Sequence, residues 1–177
     1  DDAANALALQ SDGKLLLAGS ALVSGGRRDV ALVRLNSDGS LDTAFGGGGK
    51  VTTDVGGVGN VANALALQSD GKLVVAGANF TGYTAADDML VLRYTASGAP
   101  DASFDGDGIA TVDFAAAGDS ARAVAIQSDG KIVLAGSAFT GANDDDFALA
   151  RLNPNGSLDN SFSGDGRATT DFSARPD

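Results

Sequence analysis

Aspartate dominates the residues that could do chemistry in this sequence. All 23 acidic residues are Asp, and the chain contains no Glu, no His and no Cys. Without His and Cys it has no Ser/His/Asp or Cys/His triad, no zinc or haem site of the usual kind and no disulfide. Two kinds of chemistry remain: the binding of hard cations by carboxylate oxygens, and glycoside hydrolysis by a pair of Asp carboxylates.

Calcium is the ion that the Asp-rich segments would suit, although the sequence predicts no required cofactor. Clustered carboxylates supply the hard oxygen ligands that calcium prefers. The candidate ligands are Asp87, Asp88, Asp144, Asp145 and Asp146 in two variable loops, and Asp105, Asp107 and Asp165 in two Asp-Gly turns. A complete Asp-x-Asp-x-Asp-Gly loop is absent. The alternative is an acidic, solvated rim, with Gly serving tight turns.

Three copies of one sequence unit must position these residues. Gln-Ser-Asp-Gly-Lys occurs at 10–14, 68–72 and 127–131, at offsets of 58 and 59 residues. Glycines at 19, 77 and 136 follow in the same register. Self-similarity at such a period indicates a repeat architecture. We expect one repeat domain, 1–177, with units at 1–60, 61–120 and 121–177.

Each unit is predicted to form four antiparallel strands. Alternating large and small residues at 62–68 indicate the first strand, and Asp70-Gly71 predicts a two-residue hairpin turn. The apolar run 72–76 indicates a second strand covered on both faces, and 89–94 and 109–114 complete the unit. The absence of Glu, a good helix former, also disfavours helices.

The predicted fold class is therefore all-β: β-propeller-type blades, in three four-stranded antiparallel repeats of about 59 residues. The small-residue face of the first strand would let neighbouring blades approach closely, so this strand is expected to be innermost. A β-sandwich is the alternative, and the threefold repetition disfavours it.

One arginine recurs in each unit, and we predict a structural role for it. These residues are Arg34, Arg93 and Arg151. They share a strand face with apolar residues, and a buried guanidinium needs a partner. Three recurrent sets of Asp are candidates: Asp29, Asp88 and Asp146; Asp42, Asp101 and Asp159; and Asp54, Asp113 and Asp171.

The unit resembles a known repeat family. Its pattern is Ala-x-Ala-Leu-x-Gln-Ser-Asp-Gly-Lys, then Phe147-Ala-Leu-Ala-Arg-Leu-Asn, Gly156-Ser-Leu-Asp-Asn-Ser-Phe162 and a Thr-x-Asp-Phe strand. This pattern is similar to the delta-60 repeat, and the resemblance covers the whole chain three times. It implies β-propeller-like repeats of exported bacterial proteins, and it implies no activity.

Charge and composition bound the partners and the location. The net charge is −11, with a pI near 4.1, so the backbone of a nucleic acid would be repelled. No stretch approaches the roughly 20 apolar residues that span a bilayer. The sequence begins Asp1-Asp2 and is expected to be a mature or excised segment of an exported protein, extracellular or on the bacterial cell surface.

Three blades predict a partner, because propellers close with about four to eight. We expect adjacent blades of a longer chain, a second copy that closes a six-blade homodimeric ring, or end-to-end assembly. The predicted function is that of a non-enzymatic structural or interaction module. The alternatives are a calcium-dependent module that binds carbohydrate and a glycosidase using Asp carboxylates.

Overall fold

Three four-stranded antiparallel sheets make up the fold. The computed structural model describes residues 2–82, 87–114, 118–139 and 145–172, and all regular structure in these ranges is β-strand. Blade 1 contains β1 (Ala3–Leu9), β2 (Leu15–Leu22), β3 (Arg28–Leu35) and β4 (Lys50–Thr53). Blade 2 contains β5 (Gly59–Leu67), β6 (Leu73–Phe80), β7 (Asp88–Tyr94) and β8 (Ile109–Val112). Blade 3 contains β9 (Ser120–Ile126), β10 (Ile132–Phe139), β11 (Asp145–Leu152) and β12 (Arg167–Thr170).

Each sheet is a simple meander that corresponds to one sequence repeat. Strands pair in chain order within every sheet, so each blade has its first and fourth strands at the edges. The predicted all-β, three-repeat fold class is confirmed. In the ranges that the structure covers, no helix is long and apolar enough to cross a membrane.

The hairpin between the first two strands differs from the predicted two-residue turn. Gln68 N–H donates to the Lys72 carbonyl at 2.9 Å, and Gly71 N–H donates to the Gln68 carbonyl at 3.0 Å, which leaves three residues in the loop. Only Gly71 has a positive φ, of 85°, whereas the predicted turn requires two such residues. Asp70 instead caps the turn by accepting the Lys72 N–H at 3.1 Å.

The second strands are longer than predicted. The apolar run indicated a strand to 76, but β6 continues to Phe80, and β2 and β10 extend equally far. The third strands begin early to match: Asp88 lies on β7, and Asp145 and Asp146 lie on β11. The prediction that these three Asp lie in flexible loops was therefore wrong, because pairing with the longer second strand draws them into the sheet.

A recurrent glycine allows an irregularity in the first strand. The register between β5 and β6 shifts between Ala62 and Ala64, and Gly77 pairs with Ala62. A Cβ added to Gly77 would lie 1.8 Å from the Val61 carbonyl oxygen. Gly19 and Gly136 have the same environment, so this position of the repeat accepts only Gly because the backbones approach too closely for a side chain.

The core consists of two layers, one in each junction between neighbouring blades. We call the side of a blade that carries the recurrent arginine its A face, and the opposite side its B face. The first layer packs the A face of blade 1, including Val30 and Leu32, on the B face of blade 2, including Leu90 and Leu92. The second packs the A face of blade 2, including Met89, on the B face of blade 3.

Among the described residues, only the middle blade is covered on both faces. All interior residues of β6 and β7 are buried, as predicted for the second strand. For β2 and β10 that prediction was wrong, because both strands contain partly exposed residues on an uncovered face. The first strands lie next to one another: Asn5 Nδ2 donates to the Ala62 carbonyl, and Asn63 Nδ2 to the Ala121 carbonyl, both at 2.9 Å. This arrangement is the one expected for innermost strands.

Candidate functional site

Each blade has one arginine that stacks on a phenylalanine and pairs with an aspartate. In blade 2, Arg93 Nε lies 2.7 Å from Asp101 Oδ2, and its guanidinium carbon lies 4.8 Å from the centroid of the Phe104 ring. Blades 1 and 3 repeat the arrangement with Arg34, Asp42 and Phe45, and with Arg151, Asp159 and Phe162. Of the three predicted sets of partners, the structure selects Asp42, Asp101 and Asp159.

The carboxylate of this cluster is held in its ionised form. Burial disfavours the charge of Asp101, but hydrogen bonds from Ser103 and Lys72 and the charge of Arg93 outweigh it and hold its pKa well below the usual range. The Lys72 Nζ lies 3.0 Å from Asp101 Oδ2, so two cations share one carboxylate. The hydrogen bonds and ion pairs recorded for Arg93 and Asp101 go to groups within the protein, as the predicted structural role requires.

The arginine also joins its blade to the next one. Arg34 Nη1 donates to the Ala96 carbonyl of blade 2 at 2.6 Å, and Arg93 Nη1 donates to the Pro154 carbonyl of blade 3. A backbone bond accompanies each contact. Gly46 N–H donates to the Ser97 carbonyl at 2.9 Å, and Asp105 N–H donates to the Asn155 carbonyl at 2.8 Å. Each junction between blades therefore repeats one set of polar contacts.

The Asp-Gly turns proposed as calcium ligands serve local structure. Asp105 has a φ of 49°, and its N–H makes the junction bond. Asp107 accepts the Ile109 N–H at 2.8 Å, and Asp165 accepts the Arg167 N–H at 2.9 Å and pairs with its guanidinium at 3.2 Å. The structure does not bring these three carboxylates together.

The other predicted calcium ligands, at the starts of the third strands, form two separate groups, one in blade 2 and one in blade 3. Asp87 accepts the Thr81 N–H at 3.2 Å, and Asp88 is half-buried at the start of β7. Asp145 is exposed and Asp146 is buried at the start of β11. Asp144 lies outside the described residues.

Three carboxylates meet where blade 2 joins blade 3. One carboxylate oxygen from each of Asp88, Asp113 and Asp119 lies within 4.8 Å of the others. Asp88 begins β7, Asp113 follows β8, and Asp119 precedes β9, so the meander brings three strand ends to one side. We call these residues the junction carboxylates. Asp54, Asp113 and Asp171 were one of the three sets predicted to pair with the recurrent arginines. Asp54 pairs with a different arginine, Arg27, at 3.6 Å, and Asp171 is exposed after β12.

Burial raises the pKa of Asp119 to about 6. A hydrogen bond from the Phe114 N–H opposes this shift, and the charges of Asp113 and Asp88 add to it. The pKa of Asp88 is also raised, by burial and by the charges of Asp113 and Asp87. The fold therefore holds several carboxylates close together in a partly buried place, where water screens their repulsion poorly. Raised pKa values of this kind are common at functional sites.

Two broad apolar faces lie open at the ends of the blade series. On the A face of blade 3, Phe147 is 68% exposed, whereas Met89, its counterpart in blade 2, is fully buried. Phe147 packs edge-on against Phe172, with ring centroids 4.9 Å apart. On the B face of blade 1, Leu7 and Leu9 are 63% and 67% exposed. Within the described ranges, nothing covers either face.

Asp119 is not among the sequence-predicted ligands, although the repeat contains a signal for it. Asp119 stands two residues before Ala121, which pairs with Gly136 at the strand irregularity. Asn60 and Asp2 occupy the same place before Ala62 and Ala4. A polar residue at this position of every unit could have indicated a recurrent role beside the third and fourth strands.

Comparison with known proteins agrees with the fold. The family model described as "Domain of unknown function (DUF5122) beta-propeller" matches residues 10–45, 68–104 and 127–162, which lie in the three blades in turn. The search of curated proteins found no match. The matched segments run from the first hairpin to the recurrent phenylalanine of each blade and together cover more than half of the chain, so the chain belongs to this family of β-propeller domains.

Proposed function

We propose that this chain is a non-enzymatic structural module whose two open faces dock head to tail on a second copy. The A face of blade 3 in each copy would cover the B face of blade 1 in the other. Two three-blade units make six blades, which lies within the range that closes a propeller. The module thus provides a rigid ring rather than a catalytic pocket.

The observation that carries the proposal is the contrast between equivalent residues. Phe147 and Leu149 of blade 3 are exposed, whereas Met89 and Val91 occupy the same positions in blade 2 and are fully buried under blade 3. An A face packs on a B face at both existing junctions. Exposed apolar patches of this kind indicate an interface. The exposed B face of blade 1 is the kind of face on which an A face packs at the existing junctions.

Polar groups at the two open faces also match those at the existing junctions. Arg151 corresponds to Arg34 and Arg93, and Ser163, with a φ of 53°, corresponds to Asp105. On blade 1, the carbonyls of Ser37 and Asp38 correspond to the acceptors Pro154 and Asn155. A docked pair would therefore gain the arginine and backbone bonds of an interior junction as well as apolar contact.

We further propose that the repeats are of the delta-60 type and that the module acts in an exported or cell-surface bacterial protein. The sequence pattern quoted above supports the first point, and the acidic composition rich in Gly and Asp supports the second. Fractionation of the cells that express the protein tests the location. Recovery in the cytoplasm would contradict it.

Size-exclusion chromatography with light scattering tests the docking. We expect a mass of about 35 kDa, twice that of the 17.4-kDa chain. Phe147→Asp and Leu7→Asp should each yield monomers, because each places a charge on one open face. Val58→Asp is the matched control: Val58 is exposed in the connection between β4 and β5, outside the strands that form the two open faces, and this variant should remain dimeric. A monomeric wild-type chain would contradict the proposal, and a mass that keeps rising with concentration would contradict a closed ring.

Mixing the two monomeric variants tests the head-to-tail arrangement. The Leu7→Asp chain keeps an intact A face, and the Phe147→Asp chain keeps an intact B face, so the mixture can form one sound interface. We expect heterodimers at high concentration in the mixture. Each variant alone should form no dimers. Pairing of two A faces predicts the opposite, since Leu7→Asp would then remain dimeric by itself.

A further inference from the structure

The junction carboxylates have the spacing of ligands around one cation. Their three oxygens lie within 4.8 Å of one another, and calcium binds oxygen ligands at about 2.3–2.6 Å, so its shell is about 5 Å across. Magnesium binds at about 2.0–2.1 Å and demands near-ideal octahedral geometry, whereas calcium accepts irregular shells of six to eight oxygens. Two ligands come from blade 2 and the third immediately precedes blade 3, so a bound ion would tie the two blades together.

An unpaired buried oxygen in the cluster also calls for a ligand. Asp119 is 1% exposed, and its Oδ2 accepts the Phe114 N–H at 2.7 Å. Its Oδ1 is buried without a hydrogen-bond partner among the described residues. The Phe139 N–H also favours the ionised form but does not meet hydrogen-bond geometry at this oxygen. Buried carboxylate oxygens are normally paired or bound to metal.

Arg167 lies beside the cluster, where it contacts the backbone of Asp113 and a carboxylate outside the cluster. Arg167 donates to the backbone carbonyl of Asp113, and its guanidinium pairs with Asp165 at 3.2 Å. Its charge is thus shared with a carboxylate outside the cluster. Asp87 adds a further negative charge that acts on Asp88.

At the junction of blades 1 and 2, the position equivalent to Asp119 has hydrogen-bond partners from the protein itself. Asn60 stands where Asp119 does, and its Oδ1 accepts the Val55 N–H at 3.0 Å. Its Nδ2 donates to Asn79 Oδ1 at 2.8 Å, and Arg27 pairs with Asp54 at 3.6 Å. In the sequence of the second unit, Ala86 and Asp87 stand in place of Arg27 and Arg28. Asn60 and Arg28 at one junction are thus replaced by carboxylates at the other, and Arg27 is replaced by alanine.

We propose that Asp88, Asp113 and Asp119 bind one divalent cation of the calcium type at the junction of blades 2 and 3. Three carboxylates provide three charges and at least three of the six to eight oxygens that calcium takes, and water supplies the rest. The ion replaces repulsion between the carboxylates with attraction and stabilises the contact between the blades.

The same positions recur at the two open faces. Asp146 and Asp171 of blade 3 correspond to Asp88 and Asp113, and Asp2 of blade 1 corresponds to Asp119. Head-to-tail docking of two copies would bring these three together as a second triad. This part rests on the proposed function, whereas the site of the junction carboxylates exists within a single chain.

Titration calorimetry of the chelator-treated chain with calcium chloride tests the site. We expect a Kd of about 0.1–1 mM, the range of extracellular calcium modules, with one ion per chain in monomeric Phe147→Asp and a second per chain in the dimer. Asp119→Asn should lower the number of ions by one in either state. This variant should fold because Asn60 fills the same place, and exposed Asp113→Asn provides a second test with at least a tenfold loss of affinity.

The matched control is Asp54→Asn, which changes the position of Asp113 in the first junction and should leave the number of bound ions unchanged. Calcium should also raise the melting temperature of the wild type and not that of Asp119→Asn. Absence of binding at 10 mM calcium, or equal binding by the wild type and Asp119→Asn, would overturn the site. Equal affinity for magnesium would overturn its calcium character. Loss of the second ion alone would overturn only the docking.

Discussion

Replacing Arg93 by Met should destabilise the chain more than the matched change Arg151→Met. The Arg93 side chain is 5% exposed, and it contacts Asp101, Ser103 and the Pro154 carbonyl of the next blade. The Arg151 side chain is 21% exposed. It repeats the contacts with aspartate and serine but donates to no described carbonyl of another blade. The two variants therefore differ in the contact across the junction and in the burial that the neighbouring blade provides.

The expected magnitude follows from these contacts. Removing one partner of a buried ion pair costs about 3–5 kcal/mol. Lys72 still pairs with Asp101 at 3.0 Å, so we expect the lower end, about 3 kcal/mol, for Arg93→Met. Greater exposure of Arg151 lowers its cost to about 1–2 kcal/mol. The difference, about 1.5 kcal/mol, is that of a charged hydrogen bond to a carbonyl.

Urea unfolding followed by far-UV circular dichroism measures both costs. The Leu7→Asp chain is the appropriate background, because a second copy would otherwise cover Arg151. The slopes of the unfolding transitions should agree between the variants, so that the midpoints report stability. Equal costs within about 0.5 kcal/mol, or a larger cost for Arg151→Met, would refute the value assigned to the junction contact.

Three further predictions concern the blades themselves. Gly77→Ala should prevent folding or lower stability by more than about 3 kcal/mol, because the new Cβ would lie 1.8 Å from the Val61 carbonyl oxygen; soluble yield and melting temperature report this. Tyr94→Phe should cost about 1 kcal/mol by calorimetry through loss of the 2.7 Å bond to Thr53. Burial raises the pKa of Tyr94 to about 12, so stability should fall as pH rises above about 10. The pKa of Asp101 is held low in the folded state, so its stabilisation should be lost as pH falls below about 4, and Asp101→Asn should flatten that dependence.

Each of these predictions has an internal comparison. Gly48→Ala should be nearly neutral, because nothing lies within 4 Å of its added Cβ and its φ is not positive. The absorbance of the Tyr94 phenol should titrate near pH 12 in the wild type, and this step should vanish in Tyr94→Phe. A wild-type melting temperature that is unchanged between pH 5 and pH 2 would contradict the role of Asp101.

The blades could be predicted because their signals are local. Alternation at 62–68, the turn glycine at 71 and a period of 58 or 59 residues each depend on neighbours in the chain. The predicted two-residue turn between the first two strands was wrong. Asp70 caps this turn with its side chain and does not adopt the positive φ that a two-residue turn requires. The predicted second strands are too short, because polar residues such as Asn79 are typical of a loop. Pairing with Asp88 keeps Asn79 in the sheet.

The candidate site was less predictable, because it depends on residues far apart in the sequence. Three sets of Asp were equally placed as partners of the recurrent arginine, and only packing of the turn against β7 brings Asp101 to Arg93. Asp119 was missed because its partners lie 6 and 31 positions away, on other strand ends. Asp105, Asp107 and Asp165 resembled parts of a calcium loop, yet turn geometry directs each to a neighbouring N–H or to the next blade.

The sequence alone determined that this chain makes three similar four-stranded blades rich in carboxylates, because strand periodicity and turn glycines act over a few residues. The tertiary structure decided which faces are covered and which carboxylates meet. Phe147 and Met89 are equivalent in the repeat, but only one lies under a neighbouring blade. Asp119 and Asn60 are likewise equivalent, but among the described residues Asp119 meets two other carboxylates, whereas Asn60 bonds to the Val55 N–H and to Asn79. Burial and charge density are properties of packed neighbours, and a repeat that specifies each blade does not specify what lies against it.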